Sequence, residues 1–159
     1  MSRLGRFISI AVIGLGIAAL AIGIAFVVEG QSKANFIKQS MRDEQITLSL
    51  SADAIARGDF VDTAAEAQKA ADTIRGHRNS KYGTYSEVTG GKGFDPADPN
   101  QIRYMQALNL ENCLYLAVAG LGLTTVTIVS GVFMMVTGLG LSLIGFAVQR
   151  LAKKLPATA

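Results

Sequence analysis

The chain has 159 residues, is 50% hydrophobic with a mean hydropathy of +0.34, and concentrates its apolar residues at two places, which excludes an ordinary soluble domain and points to an integral membrane protein. The net charge of +3 does not signal nucleic acid, because the basic excess is confined to the chain's ends, at Arg3, Arg6, Arg150, Lys153 and Lys154, while residues 29–112 hold ten Lys/Arg against twelve Asp/Glu. One cysteine, Cys113, excludes an intramolecular disulfide, and one histidine, His77, leaves few metal or triad chemistries open.

The first apolar run, Phe7 to Val28, is 22 uncharged residues, which matches one membrane crossing. A secretory signal peptide would share the basic flank, but this run exceeds the usual apolar core of about 7–15 residues and no A-x-A site follows. Gly5, Ser9, Val12, Gly16, Ala19, Gly23, Phe26 and Gly30 recur at alternating spacings of four and three, a stripe of mostly small residues. In lipid such a stripe lets helices approach closely, since burial of apolar side chains against each other gains little there.

Between the apolar runs the pattern is helical. Ala34, Ile37, Met41 and Leu48 predict a helix over Gln31 to about Ser51. Thr63 with Glu66 makes a capping box that opens "AAEAQKAADTIR", expected to stop at Gly76. Its apolar stripe, Ala64, Ala67, Ala71 and Ile74, is thin and must lie close against something flat. Residues 77–100, with four Gly and two Pro, predict a long loop, functional or mobile. Asp98 as N-cap, Pro99 at N1 and Gln101 at N3 predict a helix start, with no proline before Pro156 to interrupt it.

The second apolar run, Cys113 to Val148, holds 36 residues without a formal charge. As one helix it would measure roughly 54 Å against a hydrocarbon core of about 30 Å, yet it is too short for two spans and a turn. A double crossing would also place "QRLAKK" on the outer side, against the positive-inside rule. Gly120, Thr124, Thr127, Gly131, Met134, Gly138, Ser142 and Gly145 repeat at spacings of three and four, which argues for one unbroken helix and, with the first stripe, for a left-handed antiparallel pair. Matching Arg150 to Arg6 puts the outer boundary near Ile128, so residues 113–127 stand about 20 Å clear of the lipid core. A helix apolar all round must be covered. Ile37 and Met41 can cover one side; Leu114, Tyr115, Val118, Leu121 and Leu123 form a collar expected to meet a partner protein.

These readings predict an all-α integral membrane protein, a two-span transmembrane hairpin with both termini cytoplasmic. The expected order is a cytoplasmic N-terminus at 1–6, a span at 7–28, an extracytoplasmic helical domain at 29–112, the collar at 113–127, a second span at 128–149 and a basic cytoplasmic tail at 150–159. The expected setting is a bacterial cytoplasmic membrane. The order of elements resembles the sensor half of bacterial chemoreceptors, but the nine residues after Arg150 contain no signalling domain and no residue role carries over.

The function expected is that of a non-catalytic accessory subunit of a larger membrane complex, or a self-associating one, with no cofactor and no nucleic-acid partner. The packing seam is assigned to Gly16, Ala19, Gly23, Gly120, Thr124, Thr127, Gly131, Gly138, Ser142 and Gly145. A ligand-binding or sensing module is the first alternative, with a pocket of Tyr82, Tyr85, Phe94 and Tyr104 under the 77–100 loop. A metal-dependent enzyme or redox auxiliary is the second, and would need His77 to converge with Glu66, Asp72 or Glu111. His77 reads as a solvated loop residue, Cys113 as a small packing residue and Glu111 as an interfacial charge. Asp95 and Asp98 lack the EF-hand spacing, and "TGGKG" lacks the ending of a phosphate loop, so turn and cap roles are expected for both stretches.

Overall fold

The computed structural model describes the backbone of residues 3–154 and the side chains of residues 7–151; the side chains of Arg3, Arg6, Lys153 and Lys154, the burial of Gly5 and the tail beyond 154 lie outside that description. The described residues form five helices and no strand: α1 (Arg3–Asp43), α2 (Ala52–Ala56), α3 (Ala64–Tyr82), α4 (Tyr85–Thr89) and α5 (Pro99–Lys154). Two of them, α1 and α5, are long and apolar enough to cross a membrane. The chain divides into two compact units, one drawing on residues up to Lys33 and from Thr124 onward, the other on Ala34–Leu123.

In the first unit α1 and α5 pack with their numbering in opposite senses. Ser9, Gly16, Gly23 and Gly30 are buried at intervals of seven, and so are Thr124, Gly131, Gly138 and Gly145. A seven-residue repeat keeps one face of each helix on its partner only if the pair supercoils, at 3.5 residues per turn. The contact is made by backbone. A Cβ added to Gly16 would stand 2.7 Å from the Gly138 carbonyl oxygen, and one on Gly138 would stand 2.6 Å from that of Gly16; Gly23 and Gly131 show the same reciprocity at 2.7 Å each. The half-buried Ser142 donates its hydroxyl to the Gly138 carbonyl at 2.8 Å, an i−4 bond within α5. Ala19 and Thr127 are half-buried beside the ridge. The outward faces are apolar and open: Phe7, Leu15, Phe133 and Leu143 are all well exposed.

The second unit has a side-chain core built from the last turns of α1, from the segment just before α3, from α3 itself, and from the first half of α5. Met41, Val61, Ala67, Ala70, Ala71, Ile74, Leu114 and Leu121 form it. Three alanines on α3 are fully buried because a methyl group is all that separates this helix from its neighbours, so the thin stripe has found its flat surface.

Three local expectations change. The first helix ends at Asp43 and not near Ser51, because Gln45 and Ser49 adopt left-handed backbone angles, φ 52° and 68°. That turn brings Ile46 and Leu50 back onto the core, where a continuing helix would have carried them away, and it pairs the Val61 amide with the Ile46 carbonyl at 2.8 Å. Leu48, on the expected stripe, is exposed. Helix α3 does not stop at Gly76 but runs to Tyr82. A single exposed glycine costs a helix about 1 kcal/mol, less than the burial of Ile74 and the anchoring of Arg78 on either side of it contribute. The expected loop at 77–100 is therefore shorter and contains α4, opened by a second capping box in which the Thr84 amide donates to Glu87 Oε2 at 2.6 Å.

The other signals act where the sequence places them. The Glu66 amide donates to Thr63 Oγ1 and the Thr63 amide to Glu66 Oε2, both at 3.2 Å. Helix α5 starts at Pro99, with the Asn100 amide donating to Asp98 Oδ1 at 2.8 Å. Asp95 accepts the Ala97 amide at 2.9 Å, an Asx turn.

Candidate functional site

Two places in the second unit bring side chains of chemical interest together. The first is a polar clamp between α3 and α5. Arg78 and Glu111 are both buried, and the guanidinium donates from Nε to Glu111 Oε2 at 2.9 Å and from Nη2 to Oε1 at 3.4 Å. Its Nη1 donates to the Tyr104 hydroxyl at 2.8 Å, and the guanidinium carbon sits 4.8 Å from the centre of the Tyr104 ring. Tyr82 and Tyr85 pack on Tyr104 with ring centres 6.3 Å away in each case. The fork geometry of arginine suits a carboxylate, and a pair withdrawn from water is stable only when its remaining donors are also engaged.

The clamp takes up half of the residues that a sensing pocket or a metal centre would have used, Tyr82, Tyr85, Tyr104 and Glu111. Of the four pocket aromatics, Tyr82 and Tyr85 each pack on Tyr104, whose ring lies against Arg78, and Phe94 is exposed. Glu111 is a buried, paired carboxylate and not an interfacial charge. His77 lies on the exposed face of α3 and not in a loop. Among the described residues no three His, Cys, Asp or Glu side chains are placed to hold a metal ion. Glu66 is engaged in its capping box, and Asp72 accepts from the Tyr115 hydroxyl at 2.7 Å and from Gln68 at 3.1 Å.

The Tyr115 hydroxyl bond, then that of Gln68, holds the Asp72 carboxyl below its ordinary 3.8, and Arg75 nearby adds to this. A depressed carboxylate stabilises the fold above its unfolded value, and that contribution is lost as pH falls from about 4 through the lower folded value. Asp72→Asn should therefore melt lower than the wild type at pH 7, and the gap should narrow as pH falls from about 4 and close once it passes below the lower folded value. A gap that persists undiminished there would mean that the asparagine disturbs packing and not charge.

The collar is distributed differently from expectation. Leu114 and Leu121 are 2% and 6% exposed, covered by this chain's own α1 and α3, and Val118 and Tyr115 pack against the same core. The cover comes from the alanine face of α3, which lies flat where a larger stripe could not. Only Leu123 of the five is open, at 69%, and Leu116, which the sequence reading passed over, is 70% exposed. The two are seven residues apart and so share one face of α5. Gly120, assigned to the seam, faces Ile37: a Cβ there would stand 2.8 Å from Ile37 Cδ1.

The second place is a groove of 480 Å³ between the end of α1 and α5. Ile37, Met41, Leu114 and Ala117 line it together with Phe36 and Leu110, and Ser40, Glu44, Gln106 and Asn109 bring polar atoms to it. Cys113 also opens into it and is exposed, so it is not the packing residue expected. No signal in the sequence marks this groove, because its two sides lie some seventy residues apart in the chain. No family model matches the chain, and no curated protein or solved structure matches it either.

Proposed function

We propose that this protein is a two-span membrane hairpin with both termini in the cytoplasm, and that it serves as a non-catalytic accessory subunit of a larger membrane assembly. The observation that carries the membrane reading is the exterior of the first unit. Large apolar side chains stand open on every outward face between Phe7 and Val28 and between Ile128 and Val148, with no formal charge among them, while the buried contact is a ridge of glycines. Water would not tolerate that exterior, and lipid requires a small-residue contact of this kind. The basic residues Arg3, Arg6, Arg150, Lys153 and Lys154 favour the cytoplasm for both ends. The domain at Ala34–Leu123 is then extracytoplasmic, in a bacterial cytoplasmic membrane. Leu116 and Leu123, not Leu121, carry the docking face for another integral membrane subunit or a second copy.

Two measurements test this. Cys113, the chain's only cysteine and exposed, should react with a membrane-impermeant maleimide on intact cells; reaction only after permeabilisation would overturn the topology. The wild type, extracted in mild detergent, should run as part of an assembly larger than one chain. Leu116→Lys with Leu123→Lys should release it to a monomer that is still membrane-inserted, and a wild type that is itself a clean monomer would refute the subunit role.

A further inference from the structure

Beyond that reading, we propose that the groove between α1 and α5 is a binding site for a small amphipathic amine. Its volume decides against a partner helix: a cylinder about 10 Å across laid along three turns needs more than twice the 480 Å³ present, roughly 1,300 Å³, whereas 480 Å³ lies in the usual range for small-molecule sites. Its polarity is divided. Numbering rises along α1 as it falls along α5, with Ile37 against Gly120, so Gln106 and Asn109 lie toward one end and Phe36, Ile37 and Ala117 toward the other, with Glu44 about level with Cys113 between them. An apolar chain alone would leave the polar end unused. A ligand with an apolar body and a polar head fits both.

The sign of the head follows from the lining. Glu44 is its only formally charged residue, and the side chains of Glu44, Gln106 and Asn109 engage no other group among the described residues. Glu44 offers its carboxylate to an ammonium group, and Asn109, about one helical turn along α5 from that level, adds an amide oxygen. The hydroxyl of Ser40 is already committed to the Phe36 carbonyl at 3.0 Å. Phe36, exposed at the far end, presents a ring to the apolar body, while Met41 and Leu114 beneath are buried and supply a preformed apolar floor.

Cys113 in the groove wall makes occupancy measurable. With the full chain in zwitterionic nanodiscs, the rate of Cys113 reaction with a hydrophilic maleimide is followed against phenethylamine, phenethyl alcohol and phenylacetate. Phenethylamine at ten times its dissociation constant should slow labelling about tenfold, with the alcohol weaker and the carboxylate weakest. Glu44→Gln, an exposed change outside the core, should remove the preference for the amine over the alcohol. The rate with a free thiol in the same nanodiscs should not change. Absence of protection by any of the three would overturn the site, and equal protection by amine and alcohol in the wild type would overturn the assignment of its head group. Neither result bears on whether the protein is a subunit.

Discussion

Glu111→Ala should destabilise the Ala34–Leu123 unit by about 3–5 kcal/mol, the largest loss expected from a single side chain in this protein. The figure reflects what is left behind. Arg78 would keep its charge in a site where it is 8% exposed, with one bond to the Tyr104 hydroxyl and no counter-ion. Glu111→Gln, which keeps one oxygen toward Nε, should lose less. Replacing both partners, Arg78→Met with Glu111→Leu, should recover most of the stability, because a buried pair barely repays its own desolvation. Urea unfolding of the detergent-solubilised protein, followed by tyrosine fluorescence, measures all three. A loss below about 1 kcal/mol for Glu111→Ala would show that the pair behaves as a surface ion pair.

Gly138→Leu should separate α1 from α5 where Gly140→Leu should not, although the two positions lie two residues apart on the same helix. At Gly138 the first added carbon already meets the Gly16 carbonyl oxygen at 2.6 Å and the Leu20 amide at 2.8 Å, both backbone atoms that cannot turn aside. At Gly140 nothing lies within 4 Å. Overpacking a close contact costs about 1–3 kcal/mol, and a backbone obstacle puts this site at the upper end or above. Gly131→Leu should behave like Gly138→Leu, and Gly14→Leu like Gly140→Leu. Thermal melting in detergent reads the contrast, and equal melting temperatures for Gly138→Leu and Gly140→Leu would refute the glycine ridge as the contact that joins these helices.

Short-range chemistry made part of this protein legible in its sequence. The capping box of Thr63 and Glu66 and the start of α5 at Pro99 need only three or four neighbouring residues, so local pattern suffices. The signals that failed were also local, but they were outweighed. Gly76 reads as a stop until Arg78 is seen to be held by Glu111, 33 residues away. Likewise "DEQIT" reads as helix until the core is seen to draw Ile46 back.

By itself, the sequence determined the composition of each helix, the two apolar runs, and the small residues spaced at three and four along them. It could not determine which face of an all-apolar helix is covered. Around residues 113–127 every direction is hydrophobic, so periodicity carries no orientation, and Leu121 and Leu123 look equivalent. Only the tertiary structure decided between them, by laying the alanine face of α3 over Leu114 and Leu121 and leaving Leu116 and Leu123 open. The same holds for the groove and the clamp. Each is made by groups distant in the chain, and burial, not residue type, distinguishes the paired Glu111 from an ordinary exposed carboxylate.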